Sequence, residues 1–410
     1  MEWSSGTTAA FIFWVAFLLL AYVHVGYPAA AWMRALLRPL RHTRAPFEPA
    51  ISVVVVAHNE AQRIASRLDN LLALDYPRDR MEIILASDGS SDDTVDIARR
   101  YEERGVVVHV FHKRRGKAAV LNDVIPRATG DIVPLADARQ QFERGAVRAL
   151  VTDFADRSVG AVSGELIMRP NSVRAAVGNG TSFYWRYEKF IRRHESRAGS
   201  TVGATGAIYA IRRVLYEPIP EDTILDDVLI PLRIVRAGYR VLFEPEARAY
   251  DGVSATAGQE FVRKVRTIAG TFQLLTREIW VFDPFRNAVW FETISHKALR
   301  LAMPALQTLV LTANIRLAAI PVYRVLLAAQ VLFYAAALVG YLMRDARRPI
   351  AIVTLPYTIC LLSWATMVGF AHFLMRRQKA TWERVTATAA AAMEPIAASA
   401  GFVDRRRSVR

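Results

Sequence analysis

The chain has 410 residues, of which 53% are hydrophobic, and its formal net charge is +15. This length allows one large domain or two, and the hydrophobic fraction exceeds what a soluble enzyme needs, so part of the chain is predicted to lie in lipid. The positive charge accompanies apolar segments without any helix-turn-helix, zinc or RNP-type pattern, which indicates anionic lipids and not nucleic acid as its partner. The single cysteine, Cys360, excludes disulfides within the chain.

The first predicted element is a membrane anchor. Residues Thr8 to Tyr27 form a nearly uninterrupted apolar run of bilayer-spanning length, and four arginines follow between residues 34 and 44. Positive charges after the run predict that its C-terminal end faces the cytoplasm. A cleaved signal peptide is the competing interpretation, but such peptides carry their positive charges before the apolar run. We therefore expect residues 1–45 to form a transmembrane helix and a basic juxtamembrane segment.

A cytoplasmic domain is predicted over residues 46–285, where short apolar runs alternate with amphipathic helical patterns. The runs are apolar on both faces, as buried parallel strands are. They are Ile51 to Ala57, Met81 to Ser87, Val106 to Phe111 and Asp131 to Ala136. Helices are expected at Glu60 to Leu74 and at Thr94 to Arg104, the latter ending at Gly105. The alternation of strand and helix predicts an α/β fold with a doubly wound sheet.

Polar residues follow three of these strands, at the edge of the sheet where ligands bind in such folds. The segments are His58-Asn59-Glu60, Asp88-Gly89-Ser90 and Asp137-Ala138-Arg139. Asp88 could accept hydrogen bonds from a base or ribose, with Gly89 allowing close approach of the backbone. The alternative is a polar loop that only caps the next helix through Ser91 or Asp92.

A further acidic pair opens an apolar helix. Asp226 and Asp227 precede a helical pattern that reaches Ala237 and ends at Gly238. A carboxylate at this position can act as a general base. The alternative is that both acids only favour the dipole of the helix.

Membrane-like sequence returns over residues 286–375. Val322 to Met343 and Ile350 to Met375 are each long enough to span, whereas Leu301 to Ile320 is interrupted by polar residues and proline. We expect one of these segments to re-enter or to lie in the interface, because the basic tail at residues 376–410 favours the cytoplasmic side. His296 and Lys297 lie beside the membrane segment and are expected to be interfacial.

Several of these segments together resemble the family 2 inverting glycosyltransferases, in order and in spacing. The similarity covers about Pro49 to Thr276, within a membrane frame like that of bacterial exopolysaccharide synthases. The matching segments are Val53 to Glu60, Ser87 to Thr94, Arg115-Gly116-Lys117 with Asn122, Thr129-Gly130-Asp131 leading to Asp137, and the Asp226-Asp227 helix. The resemblance implies a GT-A fold, a Rossmann-like doubly wound mixed sheet, and a nucleotide-diphosphate sugar donor, most often a UDP-sugar.

The resemblance also implies roles for individual residues. Asn59, Glu60 and Asp88 would hold the nucleoside, and Lys117 would lie on the nucleotide side of the cleft, although it could equally be a solvated lysine of a first helical turn. Asp227, with Asp226 beside it, would be the catalytic base. The stretch Gly203 to Ala210, with Gly206 and Tyr209, would lie on the acceptor side, but a tightly packed strand would look the same.

This sequence departs from the family pattern at two places. Arg139 replaces the second acid of the family's metal-binding Asp-x-Asp, so Asp137 and the diphosphate are expected to hold a divalent metal, Mg²⁺ or Mn²⁺, with Arg139 assisting on phosphate. Arg263 and Thr267 replace the glutamine and tryptophan of Gln-x-x-Arg-Trp, whereas Arg266 matches the arginine and could neutralise the leaving diphosphate. The same stretch also has the pattern of a basic interfacial helix.

The function predicted from these residues is transfer of a sugar from a nucleotide donor to a glycan or lipid-linked acceptor, in exopolysaccharide or envelope glycan synthesis, by a protein of the bacterial inner membrane. Two alternatives remain open. One is a single transfer onto a polyprenyl phosphate or glycolipid, and the other is a catalytically silent nucleotide-sugar sensor or assembly subunit. Three spans are few for a polymer conduit, so a homo-oligomer or an export partner is a further expectation.

Overall fold

The computed structural model describes residues 2–169, 179–252, 257–344 and 350–377. Its eight strands are β1 (Ile51–Ala57), β2 (Met81–Asp88), β3 (Val106–Phe111), β4 (Ile132–Asp137), β5 (Gln141–Phe142), β6 (Val159–Arg169), β7 (Ile208–Arg212) and β8 (Arg240–Gly252). The helices of the same domain are α3 (Ala61–Leu72), α4 (Thr94–Arg99), α5 (Lys117–Val124), α6 (Ala146–Thr152), α7 (Asn179–Ala198), α8 (Asp226–Arg236) and α9 (Ala257–Arg277). They follow α1 (Glu2–Ala21) and α2 (Tyr27–Leu37) at the N-terminus.

The strands form a single mixed sheet with the order β3-β2-β1-β4-β7-β6-β8-β5. The first four positions are parallel, whereas β7 runs antiparallel to both β4 and β6. The predicted doubly wound mixed sheet is therefore confirmed. Valine and isoleucine side chains fill both faces of β1, which is buried along almost its whole length, as expected for a central parallel strand.

The sequence located the central strands to within one residue. β1 and β3 have the predicted bounds, while β2 extends to Asp88 and β4 extends to Asp137. Both acids are therefore the last residues of their strands. Because β2 and β4 lie on either side of β1 and run parallel to it, their carboxyl ends meet at the same edge of the sheet.

The protein core lies on the two faces of this sheet. On one face, α3 and α6 cover the strands through Ile64, Leu68 and Leu150, all fully buried. On the other face, α5 and α8 pack against the sheet with Leu121 and Leu232 at the centre. These two helical layers fix the positions of the helix N-termini at the carboxyl edge of the sheet.

The apolar terminal segments form helices long enough to cross a membrane. The candidate spans are Gly6–Leu37, Pro321–Leu342 and Ile352–Leu374, and the described residues also contain a pair of helices, Trp290–Leu301 and Met303–Arg316, bent by 60°. The bent pair coincides with the segment whose sequence is interrupted by proline and polar residues. It is either one broken span or a re-entrant element, so the number of crossings expected from the sequence stays a prediction.

The membrane helices are joined to the sheet domain by packing and not only by linkers. α12 (Met303–Arg316) packs along α1, and Phe13 of α1 lies among Leu306 and Val310. α14 (Ala351–Leu374) packs along α9, where Phe261 and Val265 meet Ala365. The expected apolar face of α9 is therefore covered by a helix that is apolar enough to cross a membrane.

Candidate active site

The loop after β2 is organised around the Asp88 carboxylate. One carboxylate oxygen accepts the backbone N–H of Arg115 at 2.7 Å, and the other accepts that of Gly116 at 2.9 Å. Gly89 has a φ of +61°, and a Cβ built there would lie 2.5 Å from the backbone nitrogen of Arg114. Glycine is therefore required for the loop to approach the segment before Lys117 so closely. Asp88 positions the start of α5, and its predicted nucleoside contact stays a prediction.

The neighbouring loop after β1 is tied to the same segment. Asn59 adopts a left-handed conformation with a φ of 54°, and its side-chain oxygen accepts the backbone N–H of Ser91 at 2.8 Å. The backbone N–H of Glu60 donates to Thr94 Oγ1 at 2.8 Å, while its carboxylate pairs with Arg63. These bonds hold Asn59 and Glu60 beside the Asp88 loop, which is where the sequence placed the nucleoside.

Lys117 lies between two of the predicted acids. Its ammonium is 2.9 Å from Asp137 Oδ1 and 3.2 Å from Asp226 Oδ2. Burial disfavours the charge on this side chain, but the two carboxylates outweigh burial and raise the pKa of Lys117. The alternative of a solvated lysine is wrong, because only 12% of the side chain is exposed. Lys117 instead connects the end of β4 to the start of α8.

The start of α8 is shaped by a proline within the helix. Pro231 has no N–H, so the carbonyl of Asp227 lacks its usual partner four residues later. That carbonyl instead accepts the backbone N–H of Ala204 at 2.8 Å. The Asp227 side chain accepts the N–H of Gly206 at 2.9 Å. The small-residue loop at 203–206 is thus bound to the first turn of α8 through both groups of one residue.

The environment of Asp227 suits a general base. Burial and the neighbouring Asp226 carboxylate raise its pKa to about 6, and Lys117 and the Gly206 N–H limit that rise. A carboxylate with this pKa is ionised at neutral pH and is more basic than a solvated one. Its side chain is half-buried, whereas that of Asp226 is buried, so Asp227 is the more accessible member of the pair.

Arg266 of α9 faces the same acids. Burial lowers its pKa, and the charges of Asp226, Asp227 and Asp137 oppose that effect. A guanidinium remains charged under these conditions. The structure therefore brings one arginine, one lysine and three carboxylates together at the carboxyl edge of the sheet.

Arg139 points to a different partner from the one expected. Its guanidinium is 2.8 Å from Asp251 Oδ2 at the end of β8, and Gln140 Nε2 donates to the same carboxylate at 3.1 Å. Arg263 is half-buried in the same neighbourhood, pairs with Glu260 at 3.1 Å, and interacts electrostatically with Arg139 and Asp251. These charges therefore form a second cluster beside the site, and the phosphate roles of Arg139 and Arg263 stay predictions.

The two residues predicted on the acceptor side differ in their surroundings. Gly206 lies against the base, since a Cβ there would be only 3.0 Å from Asp227 Oδ2. Tyr209 is fully buried within β7, and burial together with Asp226 raises the pKa of its phenol. Tyr209 is therefore buried within the sheet near Asp226, Gly206 lies against the Asp227 carboxylate, and the acceptor-side role of both stays a prediction.

The carboxylates available for a divalent metal are few. Among the described residues no group of three or more His, Cys, Asp or Glu side chains has a metal-binding arrangement. Asp137 engages Lys117 through one oxygen only, which leaves its other oxygen for an ion. Because Mg²⁺ and Mn²⁺ commonly share protein carboxylates with substrate phosphates, this donor set fits a metal bound mainly by a diphosphate.

Sequence reasoning missed the residues that support the site. Asp251 pairs with Arg139 but lies 112 positions away along the chain. The one signal in its sequence context is its position near the end of a long strand. Ser163 accepts the backbone N–H of Thr205 at 2.9 Å and so fixes the loop that meets Asp227. A buried serine within an apolar strand gave no signal of that role.

Comparison with known proteins places this geometry in a family. Residues 52–219 match the Glycosyl transferase family 2. Over 236 residues the chain is 28% identical to poly-beta-1,6-N-acetyl-D-glucosamine synthase of Staphylococcus aureus strain COL and 27% identical to that of Staphylococcus epidermidis. In both cases the alignment covers 56% of this chain and 56% of the relative, so the similarity spans little more than half the length of these proteins.

The fold has a counterpart among solved structures. The mannosyltransferase PcManGT from Pyrobaculum calidifontis, solved in complex with GDP-Man and Mn²⁺, superposes with a TM-score of 0.67 at 25% identity. The match covers 89% of this chain and 99% of that one, and therefore includes the helices that frame the sheet domain. Because the family model matches residues 52–219 and the solved counterpart shares the fold, the resemblance of the sequence to the family 2 glycosyltransferases is confirmed, and the sheet domain has a GT-A fold.

Proposed function

We propose that this protein is a membrane-bound inverting glycosyltransferase that transfers a sugar from a nucleotide-diphosphate sugar to a glycan or lipid-linked acceptor. The observation that carries the proposal is the half-buried Asp227, with a pKa raised to about 6, facing the small-residue loop and flanked by Lys117 and Arg266. This reaction requires a base, a surface that an acceptor can approach closely, and cations that stabilise the leaving diphosphate.

In the proposed reaction, Asp227 takes the proton of the acceptor hydroxyl while that oxygen attacks the anomeric carbon of the donor. The bond from the anomeric carbon to the diphosphate breaks on the opposite face, so the configuration inverts. Arg266 and Lys117 are the cations available to stabilise the negative charge that develops on the diphosphate. The N–H of Gly206 holds the Asp227 carboxylate in one orientation through its 2.9 Å bond.

Asp137 would hold Mg²⁺ or Mn²⁺ together with oxygens of the diphosphate, and the ion would offset the charge of that group. The structural counterpart from Pyrobaculum calidifontis was solved with GDP-Man and Mn²⁺, which supports a nucleotide-sugar donor and a divalent metal for this chain. Asn59, Glu60 and Asp88 are the residues that we propose to hold the nucleoside, and a UDP-sugar is the donor we expect.

The synthase relatives support a role in exopolysaccharide or envelope glycan synthesis. Among the described residues three helices are apolar enough to cross a membrane, which supports an integral protein of the bacterial inner membrane with its sheet domain in the cytoplasm. Single-sugar transfer onto a lipid-linked acceptor is the alternative, and the size of the product distinguishes the two: a synthase makes a polymer from one donor, whereas the alternative stops after one addition.

The test is incorporation of radiolabelled sugar by membranes that contain the full chain, with UDP-, GDP- and dTDP-sugars in parallel. Asp227→Asn should lower incorporation by about 10² to 10⁴ and retain donor binding, because it removes the base while preserving shape. Asp96→Asn, a change of the same kind at an exposed carboxylate of α4, is the matched control and should leave incorporation unchanged. Wild-type incorporation by the Asp227 variant would remove that residue from the reaction, and no incorporation from any donor would favour a silent binding subunit.

A further inference from the structure

The largest fully buried side chain among the described residues belongs to an arginine, Arg67 of α3. Its Nη1 donates to the side-chain oxygen of Asn70 at 2.9 Å, whereas its Nε and Nη2 are buried without a hydrogen-bond partner. Within the described part of the chain Arg67 also forms no ion pair. Because a buried cation without a direct counter-ion is costly, a group of this kind is a candidate for a role in function.

Arg67 lies on the buried side of the segment that begins at Asp137. Its guanidinium is stacked over the ring of Phe142, 4.1 Å from the ring centre. The neighbouring Asn70 donates to the Phe142 carbonyl at 2.9 Å and accepts the Phe142 N–H at 2.8 Å. Ala138, which follows Asp137 in the chain, belongs to the same core cluster as the leucines of α3. The turn of α3 that carries Arg67 is therefore packed directly against this segment.

The guanidinium keeps its charge in this position. Burial lowers the pKa of Arg67 to about 9, and the Asp137 carboxylate opposes that effect. The side chain is therefore a cation at neutral pH. Packing against Phe142 and a hydrogen bond to Asn70 do not need a positive charge, since an uncharged side chain of similar length can make either contact. The charge itself is the property that requires an explanation.

The balance of charge in the candidate active site supplies one. Three carboxylates meet there, and the cations that face them are Lys117, which lies between two of the acids, and Arg266. The charges of the second cluster, around Arg139, pair with one another. These groups alone leave one negative charge in excess, which would oppose the binding of an anionic diphosphate. The charge of Arg67 brings the formal sum to zero.

We propose that Arg67 is a positioning residue for the donor, whose buried charge offsets that of Asp137 and so favours binding of the diphosphate without touching it. This inference rests on the proposed function and adds a determinant of donor binding that lies outside the cleft. A charge within the protein core is poorly screened by water and salt, and therefore acts over a longer distance than an exposed one. Because the effect is electrostatic, it should grow with the charge of the ligand.

The test compares three radiolabelled ligands of increasing charge, uridine, UMP and UDP, by equilibrium dialysis against the full chain in nanodiscs. EDTA is present, so that no metal ion adds charge, and the guanosine series is used if GDP binds the wild type more tightly than UDP. Arg67→Met should weaken binding of the diphosphate by about tenfold and of the monophosphate by about threefold, and should leave the nucleoside within about twofold. Arg67→Gln, which can still donate to Asn70, should behave in the same way, whereas Arg67→Lys should restore most of the diphosphate affinity.

Arg99→Met is the matched control, since Arg99 is an exposed cation of α4, and it should bind all three ligands as the wild type does. An equal loss for all three ligands in the neutral Arg67 variants would show a purely structural role and overturn the proposal, as would unchanged diphosphate binding. A wild type that binds the diphosphate no more tightly than the nucleoside in EDTA, yet releases nucleoside diphosphate from a donor when metal is present, would also overturn it. Failure of the proposed function is separate, because it would appear as no nucleoside diphosphate released from any donor by the wild type with metal present.

Discussion

Replacement of Lys117 by methionine should move the pH dependence of the enzyme, because this ammonium holds down the pKa of the base. In the wild type the pKa of Asp227 is about 6, so its carboxylate is protonated and inactive below that pH. The logarithm of kcat/KM should therefore rise with pH and level off above about 6. Without Lys117, three carboxylates remain together at the edge of the sheet, with Arg266 as a cation that faces all three.

The size of this shift follows from Coulomb's law. A charge at roughly 5 Å in a medium of effective dielectric constant about 20 contributes about 3 kcal/mol, and each pKa unit corresponds to about 1.4 kcal/mol. Allowing for partial relaxation, the acid limb should move upward by about 1 to 2 units, to a midpoint of roughly 7 to 8. The pKa of Asp227 must shift upward, because loss of a cation favours the protonated form of a nearby carboxylate.

The assay is release of nucleoside diphosphate from the donor between about pH 5 and pH 9, with kcat/KM determined at each pH, because that ratio reports the free enzyme. Lys113→Met is the matched control, because Lys113 is exposed and pairs with none of the three acids. Its profile should coincide with that of the wild type. A Lys117 variant that loses activity uniformly across the range, with its midpoint still near 6, would refute this account of how the base is tuned.

Four other changes test separate parts of the site. Asp227→Asn should lower transfer by about 10² to 10⁴ with donor affinity unchanged, as loss of a general base does, and a loss of affinity equal to the loss of rate would argue against that role. Gly206→Ala should lower kcat roughly tenfold with little change in thermal stability, because the new methyl group crowds the carboxylate it faces at 3.0 Å; full activity would show that the loop can move away. Gly89→Ala should destabilise the fold by about 1–3 kcal/mol, measured by thermal unfolding, since its positive φ and a backbone atom at 2.5 Å both oppose a side chain; an unchanged melting temperature would contradict this. Removal of divalent metal with EDTA should abolish transfer, with recovery on adding Mn²⁺ or Mg²⁺, and undiminished activity would overturn the metal proposal.

The sequence predicted most accurately those features that a local pattern of residues determines. Strands apolar on both faces predicted a buried parallel sheet, and the acids that follow them were predicted at its carboxyl edge. The structure has both features, with Asp88 and Asp137 as the terminal residues of β2 and β4. Gly105 and Gly238 were predicted to end helices, and both have positive φ angles at those ends. Such local features are visible in sequence because they depend on neighbours along the chain.

Contacts between distant segments could not be predicted in the same way. The alternative of a solvated Lys117 stayed open because nothing in its own helix shows that Asp137 and Asp226 converge on it. Arg139 was expected to assist on phosphate because it stands in place of the second acid of the Asp-x-Asp motif, whereas its acid partner, Asp251, comes from β8, which is not adjacent to β4 in the sheet. Pairings of this kind depend on strand order, and strand order is set by long-range packing.

Pro231 shows how a local rule and a distant contact combine in this site. A proline within a helix costs stability because one backbone bond is lost, and here the lost bond is the one that would have used the Asp227 carbonyl. The Ala204 N–H takes its place at 2.8 Å, and two residues later the Gly206 N–H reaches the Asp227 carboxylate. The proline therefore leaves the Asp227 carbonyl to the Ala204 N–H, and the loop held by this bond also carries the Gly206 N–H that contacts the Asp227 carboxylate. From the sequence alone, Pro231 predicts a less stable helix. The hydrogen bond that compensates for the lost one comes from the 203–206 loop, and only the structure shows where that loop lies.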